Sequence, residues 1–290
     1  MKTGLVLEGG AMRGLFTAGV MDVMMEAGIT FDGIIGVSAG SSFGCNYKSH
    51  QPGRVLRYNL RYGKDPRYMG LRSLLTTGDL VGAEFAYHTL PLELDIFDIE
   101  QFEKDATEFY LVCTDVHTGE PVYYRMDKVN RTSLEWLRAS ASMPVVTRPV
   151  KVDGHEMLDG GISDSIPLKY FQDIGYGRNV VVLTQPRDYM KKPAKGWLFR
   201  LLLRRYPRIA EAMARRHEMY NAQLEYVREE AAKGDTFVIA PSRPLPIGRV
   251  EMNPEKMKLV YSMGRETATA LLPRLKEFLS HSTPGTSAQG

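Results

Sequence analysis

The run from Phe31 to Gly40, Phe-Asp-Gly-Ile-Ile-Gly-Val-Ser-Ala-Gly, constrains this chain more than any other stretch. An apolar strand over 31–37 enters Gly36-Val37-Ser38-Ala39-Gly40, and the residues from Ala39 to Tyr47 are spaced for a helix. Glycines on both sides of a serine permit a sharp strand-to-helix turn that lifts the hydroxyl clear of the backbone. The reading is therefore a nucleophile elbow at Ser38, with Gly36, Val37, Ala39 and Gly40 forming the turn. Amides at the start of the following helix favour negative charge developing beside it.

Upstream, Leu5 to Leu7 read as a buried strand, Gly9-Gly10-Ala11-Met12-Arg13-Gly14 as a glycine-rich turn, and 15–26 as a helix ending near Gly28. Strand, helix, strand, turn, helix is the order of a parallel α/β sheet. Further strands are expected over 108–116 and 122–125, joined by a hairpin loop at Asp115 to Glu120, and over 179–185 and 236–240. A turn at Asp153-Gly154 divides 150–158, and helices are expected over 132–141 and 254–279. The fold class is a three-layer α/β/α arrangement around a mostly parallel, mixed central sheet. The expected division is a catalytic core over 4–187, a mainly helical region over 188–279 packed on it, and a disordered tail over 280–290.

The glycine-rich turn resembles a phosphate cradle, but Leu15 and Phe16 stand where a P-loop needs Lys and Ser or Thr, and Ala11 replaces a glycine of the dinucleotide fingerprint. What remains is a nest of backbone amides at the carboxyl end of the first strand, beside Ser38. Gly9, Gly10, Ala11, Met12, Arg13 and Gly14 are read as an oxyanion hole, with Arg13 fixing the loop or attracting an anion.

A serine hydroxyl needs a base. The six histidines, His50, His88, His117, His155, His217 and His281, lie in no loop that marks a triad member. Asp159, after Met157-Leu158 and before Gly160-Gly161, sits where a strand would end, although alone it reads as well as a turn aspartate.

The runs Gly9 to Gly14, Gly36 to Gly40 and Asp159-Gly160-Gly161, in this order and spacing, resemble the patatin-like phospholipase family. Ala139-Ser140-Ala141-Ser142-Met143-Pro144, and Thr114-Asp115 with Thr118 to Pro121, are similar to further family blocks, so the resemblance covers roughly 4–171. It implies a Ser38/Asp159 dyad without histidine, an acyl-serine intermediate, the glycine-rich loop as oxyanion hole, and a lipid ester as substrate. No cofactor or metal is expected. Ala11 stands where the family often has a third glycine, and its amide is expected to serve only if its φ stays negative. An acyltransferase is the nearest enzymatic alternative, although such enzymes usually carry histidine where Val37 stands; a non-catalytic lipid-binding protein would be expected to lack Ser38 or Asp159.

The net charge of +3 announces no nucleic-acid partner, but Lys191 to Arg216 holds nine basic residues and one acid, Glu211. Around 197–208 the chain reads equally as an aromatic, basic helix lying on an anionic membrane or as a packed helix with snorkelling arginines at Arg200, Arg204 and Arg208. Cys45 and Cys113 lack metal or disulfide spacing and read as buried thiols; Met24 and Met25 read as core filler. The apolar start is too short for a signal segment and no window is long enough to span a membrane, so a cytoplasmic protein, peripheral at most to the inner membrane surface, is expected.

Overall fold

The structure is a computed structural model that describes residues 1–68, 70, 79 and 81–280; the tail expected over 280–290 lies outside them apart from Ser280. Its centre is an eight-stranded mixed sheet in the order β5-β6-β3-β2-β1-β7-β8, with β4 also pairing with β3. The strands are β1 (Thr3–Leu7), β2 (Gly33–Val37), β3 (Glu108–Asp115), β4 (Pro121–Arg125), β5 (Val150–Val152), β6 (His155–Asp159), β7 (Arg178–Val182) and β8 (Thr236–Ile239). Pairs β3-β2, β2-β1, β1-β7 and β7-β8 are parallel, while β4 and the β5-β6 hairpin are antiparallel.

Side chains of successive strand residues point to opposite faces, and the two resulting sets pack into separate cores. Leu5, Leu7, Ile34 and Val182 face α1 (Gly14–Glu26), α2 (Ala39–Lys48) and the C-terminal helix Pro254–Ser280. Val6, Ile35, Val37 and Val181 face Phe171, Tyr220, Leu224 and Val227 on the other side. Continuous apolar runs at β1, β2 and β7 follow from this covering of both faces, and each fully buried Leu, Ile or Val contributes roughly 2 kcal/mol. Met24 is wholly buried and Met25 packs at the rim of the first core, as their reading as core filler requires.

Three local features differ from the sequence reading. Phe85–Leu94 winds as a π-helix with Pro91 inside it; proline lacks the amide that a tighter helix would bond. No single helix spans 197–208: a short helix, Gly196–Leu202, ends before Pro207 opens the long helix Pro207–Lys233. Proline at the first position of a helix starts it there, so Arg200, Arg204 and Arg208 do not share one helical face. The segment 54–62, given no element in the sequence reading, forms the helix Arg54–Tyr62.

Candidate active site

β3 has two edges, and its pairing fixes where the site lies. Residues Tyr110 to Thr114 pair with β4 along one edge. The other edge carries β2 up to the pair Val37–Val112, and then β6, running the opposite way, from the pair Asp159–Cys113. The two strands meet end to end, so Ser38, one residue beyond Val37, and Asp159 leave the sheet at the same place.

Ser38 adopts φ 56°, ψ −121° at the start of α2, a conformation that costs an ordinary residue on the order of 1–3 kcal/mol. The turn is tight enough to require its glycines: a Cβ on Gly36 would lie 2.5 Å from the backbone of Gly40, and one on Gly40 would lie 2.3 Å from the Leu7 carbonyl oxygen. Ser140 holds it in place. The Ser140 hydroxyl accepts from the Ser38 amide (3.2 Å) and the Ser41 hydroxyl (2.9 Å) and donates to the Val112 carbonyl (2.7 Å). Two residues on, the Ser142 carbonyl accepts the Asp159 amide at 2.9 Å. The block 139–144 thus ties both ends of the meeting strands, and the Thr114 hydroxyl adds a 2.9 Å bond to the Asp159 carbonyl.

Asp159 is 1% exposed. Its Oδ1 accepts the Gly161 amide at 2.8 Å, whereas Oδ2 is buried without a hydrogen bond of standard geometry. Burial pushes the carboxyl up to about 6; the nearby Ser38 hydroxyl, the Gly161 amide, and the charges of Arg216 and Arg249 pull the other way. Behind Asp159, the Cys113 thiol is also pushed up by burial and by the neighbouring carboxylate. Both cysteines are free and buried.

The loop Gly9 to Gly14 lies against Ser38: a Cβ on Gly9 would come within 2.9 Å of the Ser38 Cβ. Not all its amides are available. Met12 donates to the Arg249 carbonyl, Arg13 to the Gly10 carbonyl, and Gly14 back into the same turn. Among the described residues, the amides of Gly9, Gly10 and Ala11 make no bond of this kind. Ala11 has φ +50°, not the negative value expected. The left-handed conformation is where glycine is tolerated best and costs alanine about 1 kcal/mol; the amide has no backbone partner among the described residues all the same.

The histidines pair elsewhere: His50 with Asp105 (2.7 Å) and His88 with Glu135 (3.0 Å), with His117 and His155 near Glu156 and Asp115. His217 is next to Glu218, and His281 lies outside the described residues. Sequence reading passed over two other groups. Glu8, 2% exposed, accepts the Thr184 amide and the Tyr220 hydroxyl, each at 2.6 Å, joining the ends of β1 and β7 to the long helix 207–233. From that helix, Arg216 donates to the Gly161 carbonyl and, at 3.2 Å, to the Ser165 hydroxyl. Its only signal in the sequence was membership of the basic segment.

An apolar cavity of about 490 Å³ is lined by Ser38 and Ala11 together with buried residues that include Phe43, Leu134, Met126 and Phe97. Five of its lining residues, Ala11, Val145, Leu202, Arg249 and Val250, are exposed and mark its open side. Its mainly apolar walls suit an aliphatic chain.

Fold, elbow and facing aspartate define a class, and the chain belongs to it: residues 5–171 match the patatin-like phospholipase model. Residues 206–280 match a domain of unknown function, DUF6363. The chain is 28% identical to the uncharacterized protein YjjU of Escherichia coli, over 98% of its own length and 80% of that protein. It is 25% identical to lysophospholipase NTE1 of Cryptococcus neoformans over 92% of its own length, although it spans only 17% of that protein. Lysophospholipase nte1 of Aspergillus fumigatus is 30% identical over 59% of this chain and 11% of its own. Among solved structures, VipD of Legionella pneumophila is similar over 94% of this chain and 67% of its own, at 12% identity and a TM-score of 0.48.

Proposed function

We propose that the protein is a serine lipid acyl hydrolase in which Ser38 is the nucleophile and Asp159 the base. The observation that carries the reading is the convergence of Ser38 and the buried, raised-pKa Asp159 at the end of an apolar cavity. A carboxyl near 6 is ionised at neutral pH yet more basic than an ordinary aspartate, and so better matched to taking a proton. Ser38 Oγ attacks the ester carbonyl and its proton passes to Asp159 Oδ2. The free amides of Gly9, Gly10 and Ala11 hold the oxyanion. Collapse expels the alcohol, which takes the proton from Asp159, and leaves an acyl-serine. Water then attacks, again giving a proton to Asp159, and the fatty acid departs as Ser38 recovers that proton.

Single-chain phospholipids suit the cavity, and the fungal relatives are named lysophospholipases. The short helix Gly196–Leu202 buries no residue, and Trp197 and Leu201 are 62% and 61% exposed. Phe199 and Leu202 of the same helix line the cavity. We place this rim, with Arg200, Arg204 and Arg205 beside it, on the surface of an anionic membrane. Among the described residues no helix is long and apolar enough to cross one. The free buried thiols fit a reducing compartment and hence a cytoplasmic enzyme.

The test is a panel of lysophospholipids, phospholipids and mono- and diacylglycerols with mass-spectrometric identification of products. Fatty acid release that disappears in Ser38→Ala is expected. Release undiminished in Ser38→Ala, or none from any ester, contradicts the reading.

A further inference from the structure

We propose that Lys191, Arg216 and Arg249 join Arg13 in a subsite for the phosphate group of a lipid substrate, beside the oxyanion loop. The inference rests on the hydrolase reading above and names the residues that would tell a phospholipid from a neutral glyceride. Each cation is fixed to a part of the site. Arg13 Nε donates to the Gly10 carbonyl at 3.4 Å. Arg216 grips the turn after Asp159 through Gly161 and Ser165. Arg249 offers its carbonyl to the Met12 amide, and its residue lines the cavity with Ser38 and Ala11. Lys191 Nζ lies 4.4 Å from the centre of the Tyr220 ring, whose hydroxyl bonds Glu8, the residue before Gly9. The backbone of Lys191 is held on both sides by the Asn221 amide group, at 2.8 and 3.0 Å.

The carboxylates of Asp159 and Glu8 act on these four cations only at longer range. None forms an ion pair among the described residues, whereas Arg54, Arg57, Arg125, Arg138 and Arg265 all do. Of the two buried carboxylates nearby, Glu8 is bonded by Thr184 and Tyr220, and Asp159 is bonded at Oδ1 by Gly161. Mutual repulsion shows in the Lys191 ammonium, lowered to about 8 by burial and by Arg216, Arg249 and Arg13. An anion placed among them would remove that repulsion and gain charge-assisted bonds from guanidinium groups suited to phosphate geometry. In a glycerophospholipid the phosphate is a few bonds from the scissile ester. With the acyl chain in the cavity and the ester at Ser38, the phosphate falls on the cationic side. A neutral glyceride has nothing to place there. Arg216 and Arg249 both lie within the DUF6363 region, which gains a role as the wall that reads the headgroup.

The experiment uses ether lipids, which have no ester to cleave. Calorimetric titration below the micelle concentration compares 1-O-hexadecylglycerol 3-phosphate with neutral 1-O-hexadecylglycerol, and inorganic phosphate forms a third arm. We expect the full-length protein to bind the phosphate ether at least tenfold more tightly than the neutral one. In the Lys191→Gln/Arg249→Gln double variant, verified as folded by circular dichroism, the gap falls below threefold. Equal binding of both ethers, or a gap kept in the double variant, overturns the proposal. Inorganic phosphate binding as tightly as the phosphate ether would assign the site to a free anion and overturn the lipid assignment. Loss of ester hydrolysis with the tenfold gap intact would sink the hydrolase reading and leave the subsite standing.

Discussion

Val37 and Asp159 sit opposite consecutive residues of one strand edge, Val112 and Cys113. Because β2 and β6 run toward each other there, the first residue beyond Val37 meets the carboxylate that ends β6. A serine and an aspartate separated by more than a hundred residues of chain are thus positioned by backbone register, not by loops.

Acid should switch the enzyme off through Asp159. The carboxyl, raised to about 6, must be ionised to accept the Ser38 proton, so the active fraction falls about tenfold per pH unit below that value. In steady-state assays on a soluble ester, kcat/KM should decline below about pH 6 and level off above it. Asp159→Asn should lose roughly 10²–10⁴-fold. A wild-type profile flat to about pH 4.5 would place the base elsewhere.

Function at this site costs stability. The folded pKa of Asp159 is raised from 3.8 to about 6, so over that interval the folded state holds a proton that the unfolded chain has released. This group's contribution therefore falls as pH rises from about 4 to about 6. Asp159→Asn escapes the penalty and should be more stable at pH 7 by on the order of 2 kcal/mol, with the difference closing toward pH 4. Thermal denaturation of both proteins at the two pH values measures this; equal midpoints at pH 7 count against it.

Ser140→Ala should weaken both fold and catalysis. It leaves the Ser38 amide and the Val112 carbonyl without their shared partner, and each orphaned buried group costs about 1–3 kcal/mol. Urea unfolding should record a loss of roughly 2–4 kcal/mol, with kcat down at least about tenfold. A loss under about 0.5 kcal/mol would mean that Ser140 does not brace the elbow.

The two glycines after Asp159 are not equivalent. A methyl group on Gly160 would lie 2.3 Å from the Val112 carbonyl oxygen, a backbone atom. On Gly161 the nearest atoms are side-chain ends, Asp159 Oδ1 at 3.1 Å and Arg216 Nη2 at 3.2 Å. Gly160→Ala should therefore abolish activity or folding, and Gly161→Ala should be milder in both. Equal activity of the two variants would show that the strand ends can part without harm.

The exposed rim should report membrane contact. On vesicles containing phosphatidylglycerol, Trp197 fluorescence should shift to the blue, and Trp197→Ala/Leu201→Ala should reduce co-pelleting severalfold relative to the unaltered protein. Identical pelleting with and without anionic lipid removes the membrane assignment.

Much of this was legible in the chain because it is local. An apolar strand before Gly36, a serine between glycines and a helix after it specify the elbow from neighbouring residues, and the free, buried cysteines follow from their apolar surroundings. The similar blocks at Thr114 and at 139–144 were visible as letters, but their task, holding Ser38 and Asp159 through Ser140, Ser142 and Thr114, depends on register across β3. The bond from Tyr220 to Glu8 joins residues 212 apart, beyond any periodicity. Arg216 read as part of a basic surface because charge runs carry no direction. The break before Pro207 was marked by the proline, and apolar spacing across it suggested one helix where the structure has two. The positive φ of Ala11 could not be seen, since nothing in an alanine announces a left-handed backbone.

Intact-mass spectrometry after treatment with an alkyl fluorophosphonate tests the Ser38/Asp159 pair. One adduct per chain is predicted, mapping by peptide fragmentation to Ser38, absent in Ser38→Ala and formed at least about a hundredfold more slowly in Asp159→Asn. An adduct on another residue, or labelling of Ser38 at an unchanged rate in Asp159→Asn, would contradict the Ser38/Asp159 dyad.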